Sequence, residues 1–136
     1  MHADRLRYIA LLFSEQTRQF YGRTVERINK GVLANSFGMF RMSVNEHLPL
    51  TIINDWDIRP ETLVEYKVLV LPNMAGLSDE QIKDIKEYVN NGGGLVASCE
   101  TSLFDELGRQ RQNFGLEELF GVKYLGMVNE SKYNPG

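Results

Sequence analysis

The sequence predicts an α/β domain whose parallel sheet has four strands in the order 2-1-3-4. Four short apolar runs carry this prediction: YIALLFS (Tyr8 to Ser14), LTIIND (Leu50 to Asp55), KVLVLPN (Lys67 to Asn73) and GLVASC (Gly94 to Cys99). Each run is continuous rather than alternating, which is typical of a strand covered on both faces. The intervening segments are long enough for the crossover helices that parallel strands require. We therefore expect a doubly wound sheet with helices on both faces.

The clearest helix is predicted from Ser78 to about Asn91. Ser78 can cap the first turn, and Gln81 stands at the reciprocal position of a capping box. Gly92 supplies a left-handed stop. The apolar residues of this helix share one face, which should lie against the sheet: Ile82, Ile85, Tyr88 and Val89.

A longer helical stretch is predicted between Thr24 and His47. Gly31 and Gly38 interrupt it, so we expect two helices or a bent one. Its apolar residues are Val25, Ile28, Val32, Phe37, Phe40 and Val44. A short helix is predicted at 61–65, a helical turn in FGLEELFGV, and a last strand in VKYLGMV (residues 122–128).

Length and composition describe one globular domain covering residues 1–136. Apolar residues make up 43% and charged residues 24%, and the net charge is −3. No cluster of Lys and Arg with interleaved aromatic residues is present, which argues against nucleic acid as a partner. The apolar runs are far shorter than the roughly twenty residues that span a bilayer, so no membrane partner is expected.

Metal and cofactor sites are not expected. His2 and His47 lack a suitably spaced second ligand. The triple glycine at 92–94 precedes a strand, whereas a dinucleotide fingerprint joins a strand to a helix. The chain begins without a signal-peptide pattern and has one cysteine, which cannot form an internal disulfide. A cytoplasmic location is the expectation.

Polar residues follow every predicted strand. They are Ser14, Glu15 and Gln16, then Asn54 and Asp55, then Asn73, and finally Cys99, Glu100, Thr101 and Ser102. In an open parallel sheet, ligands bind beyond the carboxyl ends of the strands, near the point where strand order reverses. Loops at this edge are also polar because they face solvent and cap helices. Both interpretations stay open.

Cys99 is the only cysteine, and it could be a nucleophile or a packing residue. A thiol nucleophile needs a base within hydrogen-bond reach. His47 is predicted at the amino-terminal side of the sheet and His2 at the start of the chain, so neither should reach Cys99. Glu100 follows directly, which breaks the elbow pattern of small neighbours and would raise a thiol pKa. We expect Cys99 to be buried as a packing residue.

Three segments resemble the β-galactosidase trimerisation domain: LLFSEQTRQFYGR (Leu11 to Arg23), YKVLVLPNMAGLSDEQIKDIKEYVNNGGGLVAS (Tyr66 to Ser98) and ETSLFDELGRQRQNFGLEELFGVKY (Glu100 to Tyr124). The specific parts are LSDEQ, the triple glycine, and ETSLFDELG followed by Arg109 and Arg111. The resemblance implies a flavodoxin-like, class I glutamine amidotransferase-like three-layer sandwich that is generally not catalytic itself.

The resemblance also implies an accessory and oligomerisation domain of a glycoside hydrolase. The expected partners are further copies of the chain, with a trimer as one candidate, and the catalytic barrel of a parent chain. Such a barrel needs about 250 residues, so the chain is expected to be a fragment of a larger enzyme. In amidotransferase relatives the catalytic His and acid come later in the chain. The alternative is a small amidotransferase-like hydrolase with Cys99 as nucleophile.

The segment ETSLFDELGRQR places mixed charges after the fourth strand. It could be a solvated loop or a contact surface anchored by Leu103 and Phe104, in which Arg holds carboxylates of a neighbour. The resemblance favours contact. The candidate binding or interface residues are Ser14, Glu15, Asn73, Glu100, Thr101, Ser102, Asp105, Glu106, Arg109 and Arg111.

Overall fold

A computed structural model describes residues 7–21 and 24–126, with the side chain of Arg27 left out. Four strands form one sheet: β1 (Ile9–Leu12), β2 (Leu50–Ile53), β3 (Val68–Pro72) and β4 (Gly94–Ser98). All neighbouring strands are parallel, and the order is β2-β1-β3-β4. The predicted fold class and strand order are confirmed.

Burial differs between the inner and the edge strands of the sheet. β1 and β3 are buried over nearly their whole length, as continuous apolar runs predict. The edge strands are more open, since Thr51 and Ile52 of β2 and Val96 of β4 are exposed. Coverage on both faces therefore holds for the two inner strands only.

Helices connect the strands and form the outer layers. α1 (Val25–Arg27) and α2 (Ala34–Asn45) lie between β1 and β2, α3 (Pro60–Leu63) between β2 and β3, and α4 (Asp79–Asn90) between β3 and β4. Right-handed crossovers put α3 and α4 on the same face and α2 on the other. In agreement, α3 contacts α4, and α2 contacts β3.

Shorter helical turns complete the architecture. A π-helical turn (Thr17–Tyr21) follows β1, a 3-10 turn (Asp55–Asp57) follows β2, and α5 (Glu117–Phe120) forms the predicted turn after β4. The predicted last strand is wrong for residues 122–126, which have no regular structure, and its last two residues lie outside the described range. In the described ranges no helix is both long and apolar enough to cross a membrane.

The stretch from residue 25 to 45 is helical throughout, with a π-helical segment (Ile28–Leu33) between α1 and α2. The carbonyl oxygen of Gly31 accepts hydrogen bonds from Asn35 Nδ2 at 2.8 Å and from Asn73 Nδ2 at 2.6 Å. These side-chain donors compete with the regular backbone donor, which accounts for the wider turn. The predicted irregularity thus occurs at Gly31, whereas Gly38 lies inside α2 without breaking it.

The inward side of α2 carries serines rather than the large apolar residues of the helix. Val32, Ser36 and Ser43 are buried, whereas Phe37, Phe40 and Val44 are exposed. At about 100° per residue, the two serines share a face with Val32, and the three apolar residues are centred about a quarter-turn away. The serine hydroxyls are satisfied locally, because Ser36 Oγ donates to the Val32 carbonyl and Ser43 Oγ to the Leu48 carbonyl.

The start and end of α4 agree with the sequence prediction. Ser78 Oγ accepts from the Gln81 N–H at 3.1 Å, and Gln81 Oε1 accepts from the Ser78 N–H at 2.9 Å, which completes the capping box. Gly92 ends the helix with a φ of 101°. At Gly93 a Cβ atom would lie 2.3 Å from the Tyr88 ring, so only glycine fits there.

We predict that Ser78→Ala lowers the free energy of unfolding by about 1 kcal/mol, because the first turn of α4 loses its side-chain acceptor. The melting temperature should fall by roughly 3–5 °C in a thermal scan followed by circular dichroism. Ser78→Thr keeps the acceptor oxygen and should retain most of the stability. Equal melting temperatures for Ser78→Ala and the unchanged protein would contradict the assigned cap.

Candidate functional site

The carboxyl ends of β3 and β4 are joined through Asn73. This residue is buried and has a φ of 52°, in the left-handed region that asparagine tolerates best among non-glycine residues. Its backbone N–H donates to Ser98 Oγ at 3.1 Å, and its Oδ1 accepts from the Glu100 N–H at 3.1 Å. Its Nδ2 donates to the Gly31 carbonyl. Asn73 therefore connects β3, β4 and the segment between α1 and α2.

The polar residues after β4 point into the protein. Glu100, Thr101 and Ser102 are buried. Glu100 accepts a short hydrogen bond from the Tyr21 hydroxyl. Thr101 Oγ1 accepts from the Met74 N–H, and the carbonyls of Leu71 and Ser98 share its single hydroxyl hydrogen. Ser102 Oγ accepts from the Leu116 N–H at 3.1 Å. These three side chains close the edge of the sheet with internal hydrogen bonds.

The residues after β1 behave in a similar way. Ser14 is buried and accepts from the Thr17 N–H at 3.0 Å, so it caps the turn that follows. Thr17 Oγ1 accepts from the Gly76 N–H at 3.1 Å. Glu15 lies nearer the surface and pairs with Arg18 at 2.6 Å. Of the candidate residues on this side, only Glu15 presents a charged group outward.

Three charged residues of the 105–111 segment, Asp105, Arg109 and Arg111, are paired within the chain. Asp105 accepts from the backbone N–H groups of Leu107 and Arg109, both at 2.9 Å, and from Arg109 Nε at 2.7 Å. Arg111 binds Asp79 at 2.7 Å and the Leu77 carbonyl at 2.8 Å, which ties the segment to the start of α4. Glu106 is half-buried.

The expected apolar anchors of this segment lie inside the protein. Leu103 is fully buried, and Phe104 packs edge-on against Tyr21 with ring centroids 5.2 Å apart. The interpretation of these two residues as anchors of an exposed patch is wrong, because the loop folds back onto the core. Arg109 and Glu106 remain accessible to a neighbour, whereas Asn73, Glu100, Thr101 and Ser102 are engaged internally.

The predicted burial of Cys99 is wrong. Cys99 is exposed and adopts a φ of 56°, directly after the last residue of β4. This left-handed, strained position turns the chain, so that Glu100 rather than Cys99 points inward. The sequence offered no signal for it, because Cys lacks the preference for this conformation that Gly and Asn have.

No base lies beside the Cys99 thiol in the described residues. Cys99 Sγ donates a weak hydrogen bond to Asn35 Oδ1 at 3.8 Å. His47 lies just before β2, at the opposite end of a parallel sheet whose strands are four or five residues long, or about 13–17 Å. His2 lies outside the described range. Elsewhere in that range, no cluster of three or more His, Cys, Asp or Glu side chains could hold a metal.

A cleft of about 500 Å³ runs beside β4 and includes Cys99. Most of its walls are apolar, from the sheet, from α4 and from the α5 region: Val89, Leu95, Ala97, Phe114, Leu119, Phe120 and Val122. Its polar groups are Ser98 and Thr101, and Thr101 already makes internal hydrogen bonds.

The sequence interpretation missed an apolar surface on α2. Phe37, Phe40 and Val44, which we call the α2 outer face, are 58%, 41% and 55% exposed. The three residues follow the i, i+3, i+7 spacing of a single helix stripe. The helical spacing of these apolar residues was visible in the sequence. Whether they face the sheet or the solvent depends on which other residues of α2 contact the sheet. A stripe of this kind on a surface helix is typical of an interaction site.

We predict that Asp105→Asn lowers the free energy of unfolding at pH 7 by about 1 kcal/mol, because charge-assisted hydrogen bonds are lost. Burial acts to raise the pKa of Asp105, but hydrogen bonds from Arg109 and Leu107 outweigh it and hold the pKa below its ordinary value of 3.8. This stability is present above pH 3.8 and is lost as the pH falls through the folded-state pKa.

Urea unfolding at pH 7 and pH 3 measures this effect, with Glu106→Gln as the control in the same loop. The difference between Asp105→Asn and the unchanged protein should shrink at pH 3. A difference that is equal at both pH values would show that charge is not the cause.

Three solved structures share this fold. A β-galactosidase from Bifidobacterium adolescentis has a TM-score of 0.67 and 19% identity, over 85% of this chain and 53% of that one. A catalytic mutant of a GH42 β-galactosidase from G. stearothermophilus has a TM-score of 0.70 and 24% identity, over 87% of this chain and 17% of that one. A ThuA-like protein from Bacteroides uniformis has a TM-score of 0.54 and 21% identity, over 77% of this chain and 41% of that one.

The matched structures are longer than this chain, which spans about half of the first and about a sixth of the second. A likeness at this level of identity establishes the fold. The sequence itself matches a protein family over residues 8–130, nearly its whole length. That match covers all four strands, the cap of α4 and the closed loop after β4. The chain belongs to the β-galactosidase trimerisation domain family.

Proposed function

We propose that this chain is a non-catalytic accessory and oligomerisation domain of a glycoside hydrolase. Membership of a trimerisation domain family supports an assembly role. The observation that carries the proposal is the α2 outer face, an apolar helix stripe with no cover in the described structure. The internally bonded carboxyl edge supports a structural role for the residues that would otherwise suggest a ligand site.

The α2 outer face has the chemistry of a protein interface. Burying a Val or Phe side chain fully contributes about 1.5–3 kcal/mol, so covering three partly exposed ones is a substantial gain. Arg41 is exposed on the same helix, and arginine beside aromatic residues is typical of interface centres. Ser36 and Ser43 make the buried side of the helix small and polar. The side chains that can bury the most apolar area therefore point outward.

The proposed occupant of this face is another subunit of the same protein. An oligomerisation domain must bury part of its surface against copies of itself, and isologous or ring contacts both use one such patch per subunit. We propose that the catalytic barrel belongs to the same parent chain. Glu15, Glu106 and Arg109 are proposed as further contact residues, because they stay at or near the surface of the carboxyl edge.

The chemistry of the parent enzyme is proposed to reside in the barrel rather than in this domain. Cys99 supports this view, because its thiol contacts the amide oxygen of Asn35 rather than a catalytic base. Its positive φ also places it in a backbone turn. An exposed thiol without a partner cysteine also suits a reducing compartment, which supports the proposed cytoplasmic location.

We predict that the double change Phe37→Ser with Phe40→Ser weakens self-association of the natural full-length protein at least tenfold. The reason is that both substitutions remove apolar area from the α2 outer face without touching the core. Sedimentation equilibrium over a range of protein concentrations measures the association constant.

Val64→Ser is the matched control, since Val64 is an apolar residue at the end of α3 that is 76% exposed. This control should assemble like the unchanged protein. If the α2 variant keeps the same association constant, the face is not the subunit contact. If it keeps the assembly but melts at a lower temperature, the face instead packs against the barrel of its own chain, and the proposed occupant is wrong.

We predict that Cys99→Ala leaves the hydrolase activity of the full-length protein unchanged, because no base in the described residues activates the thiol. Hydrolysis of a chromogenic galactoside measures this activity. The exposed thiol should react with a thiol reagent at a rate typical of a free cysteine at the same pH. Loss of activity in Cys99→Ala, together with fast alkylation at pH 6, would support the nucleophile alternative instead.

A further inference from the structure

A second pocket lies at the carboxyl edge, between the end of β2 and the start of α4, with a volume of about 400 Å³. It is distinct from the α2 outer face and from the cleft beside Cys99. Residues from three segments line it: Gln16 after β1, a group after β2 (Asp55, Trp56, Ile58 and Arg59), and the start of α4 (Ser78, Glu80, Gln81 and Asp84). Convergence of separate segments on polar groups is the usual construction of a small-ligand site.

Two acceptor atoms at this pocket have no hydrogen-bond partner within residues 7–21 and 24–126. Asp55 is only 7% exposed, and its Oδ2 accepts from the Gln16 N–H at 3.0 Å. Its Oδ1 is buried and unpartnered, and so is Gln16 Oε1. A buried carboxylate oxygen without a donor is costly, because it has lost water and gained nothing. Both orphaned atoms are acceptors, so the missing group is a donor.

The charges around the pocket favour a positively charged donor. Three carboxylates line the pocket, from Asp55, Glu80 and Asp84, against one cation, Arg59. The start of α4 adds about half a positive charge, which leaves the sum negative. Burial raises the pKa of Asp84, and the nearby carboxylates of Glu80, Glu87 and Glu61 raise it further against the effect of Lys83, in line with an excess of negative charge.

Trp56 supplies an aromatic surface at the same place. It follows Asp55 in the chain, lines the pocket, and is 63% exposed. An exposed tryptophan face attracts cations through its ring quadrupole, and guanidinium groups also stack on it. Because Asp55 and Trp56 are adjacent, the short turn after β2 presents a carboxylate and a ring to one ligand.

We propose that this pocket binds a guanidinium group, with Trp56 stacked on its plane and with Asp55 Oδ1 and Gln16 Oε1 accepting its N–H donors. Guanidinium fits better than a compact ammonium, since its planar donors reach two acceptors while its face lies on an aromatic ring.

Trp56 is the only tryptophan of the chain, so its fluorescence reports on this pocket directly. Titration of the chain with L-arginine amide should change the emission in a saturable way, and added salt should weaken the binding. Galactose and sodium chloride at equal concentrations serve as neutral and ionic controls. Asp55→Asn should weaken the binding about tenfold or more, because the amide places an N–H donor where the ligand donates.

Glu26→Gln on α1 removes the same charge away from the pocket and should bind like the unchanged chain. If Asp55→Asn does not fold, Glu80→Gln at the rim should still weaken the binding by about two- to threefold. Three results would overturn the proposal: no saturable response to L-arginine amide, an equal response to galactose, or equal affinity in the carboxylate variants and Glu26→Gln.

Discussion

The left-handed, buried Asn73 is the residue on which the rest of this structure depends. Its three hydrogen-bonded groups connect the end of β3 to Ser98, to Glu100 and to Gly31. The bond to Gly31 anchors the π-helical segment that precedes α2 to the end of β3. The bond to Glu100 holds the turn at Cys99, which directs Glu100 inward and Cys99 outward. One side chain thus links the exposure of the α2 outer face with the closure of the carboxyl edge.

Closure of the carboxyl edge separates this domain from a sheet that binds its ligand at the switch point. The Thr101 hydroxyl accepts from one N–H and shares its single hydrogen between two carbonyl groups, and Ser102 accepts from another N–H. Polar groups that are already paired in this way stabilise the fold and have little left to offer a substrate. Among the described residues, unpaired acceptors lie instead at Gln16 after β1 and at Asp55 after β2.

Local patterns were predictable from the sequence, whereas orientations that depend on distant contacts were not. The four apolar runs gave the strands and their order, and Ser78 with Gln81 gave the start of α4, because each signal lies within a few residues. The direction of α2 could not be derived, since Phe37, Phe40 and Val44 look like a core stripe until the bonds at Gly31 are known. The exposure of Cys99 depends on the hydrogen bond between Glu100 and Asn73, which lies 26 residues before Cys99 in the sequence. The pocket at Trp56 needs three segments that only the fold brings together.

Hydroxyl-radical footprinting of the full-length protein at low and high concentration tests the central claim, that the domain assembles through α2 while its carboxyl edge stays internal. Phe37 and Phe40 can be compared with Trp56, which lies at the other pocket. The account predicts that oxidation of these two α2 residues falls as subunits associate and that oxidation of Trp56 does not. Equal oxidation of the α2 residues at both concentrations, in a protein whose mass shows it has assembled, would contradict it.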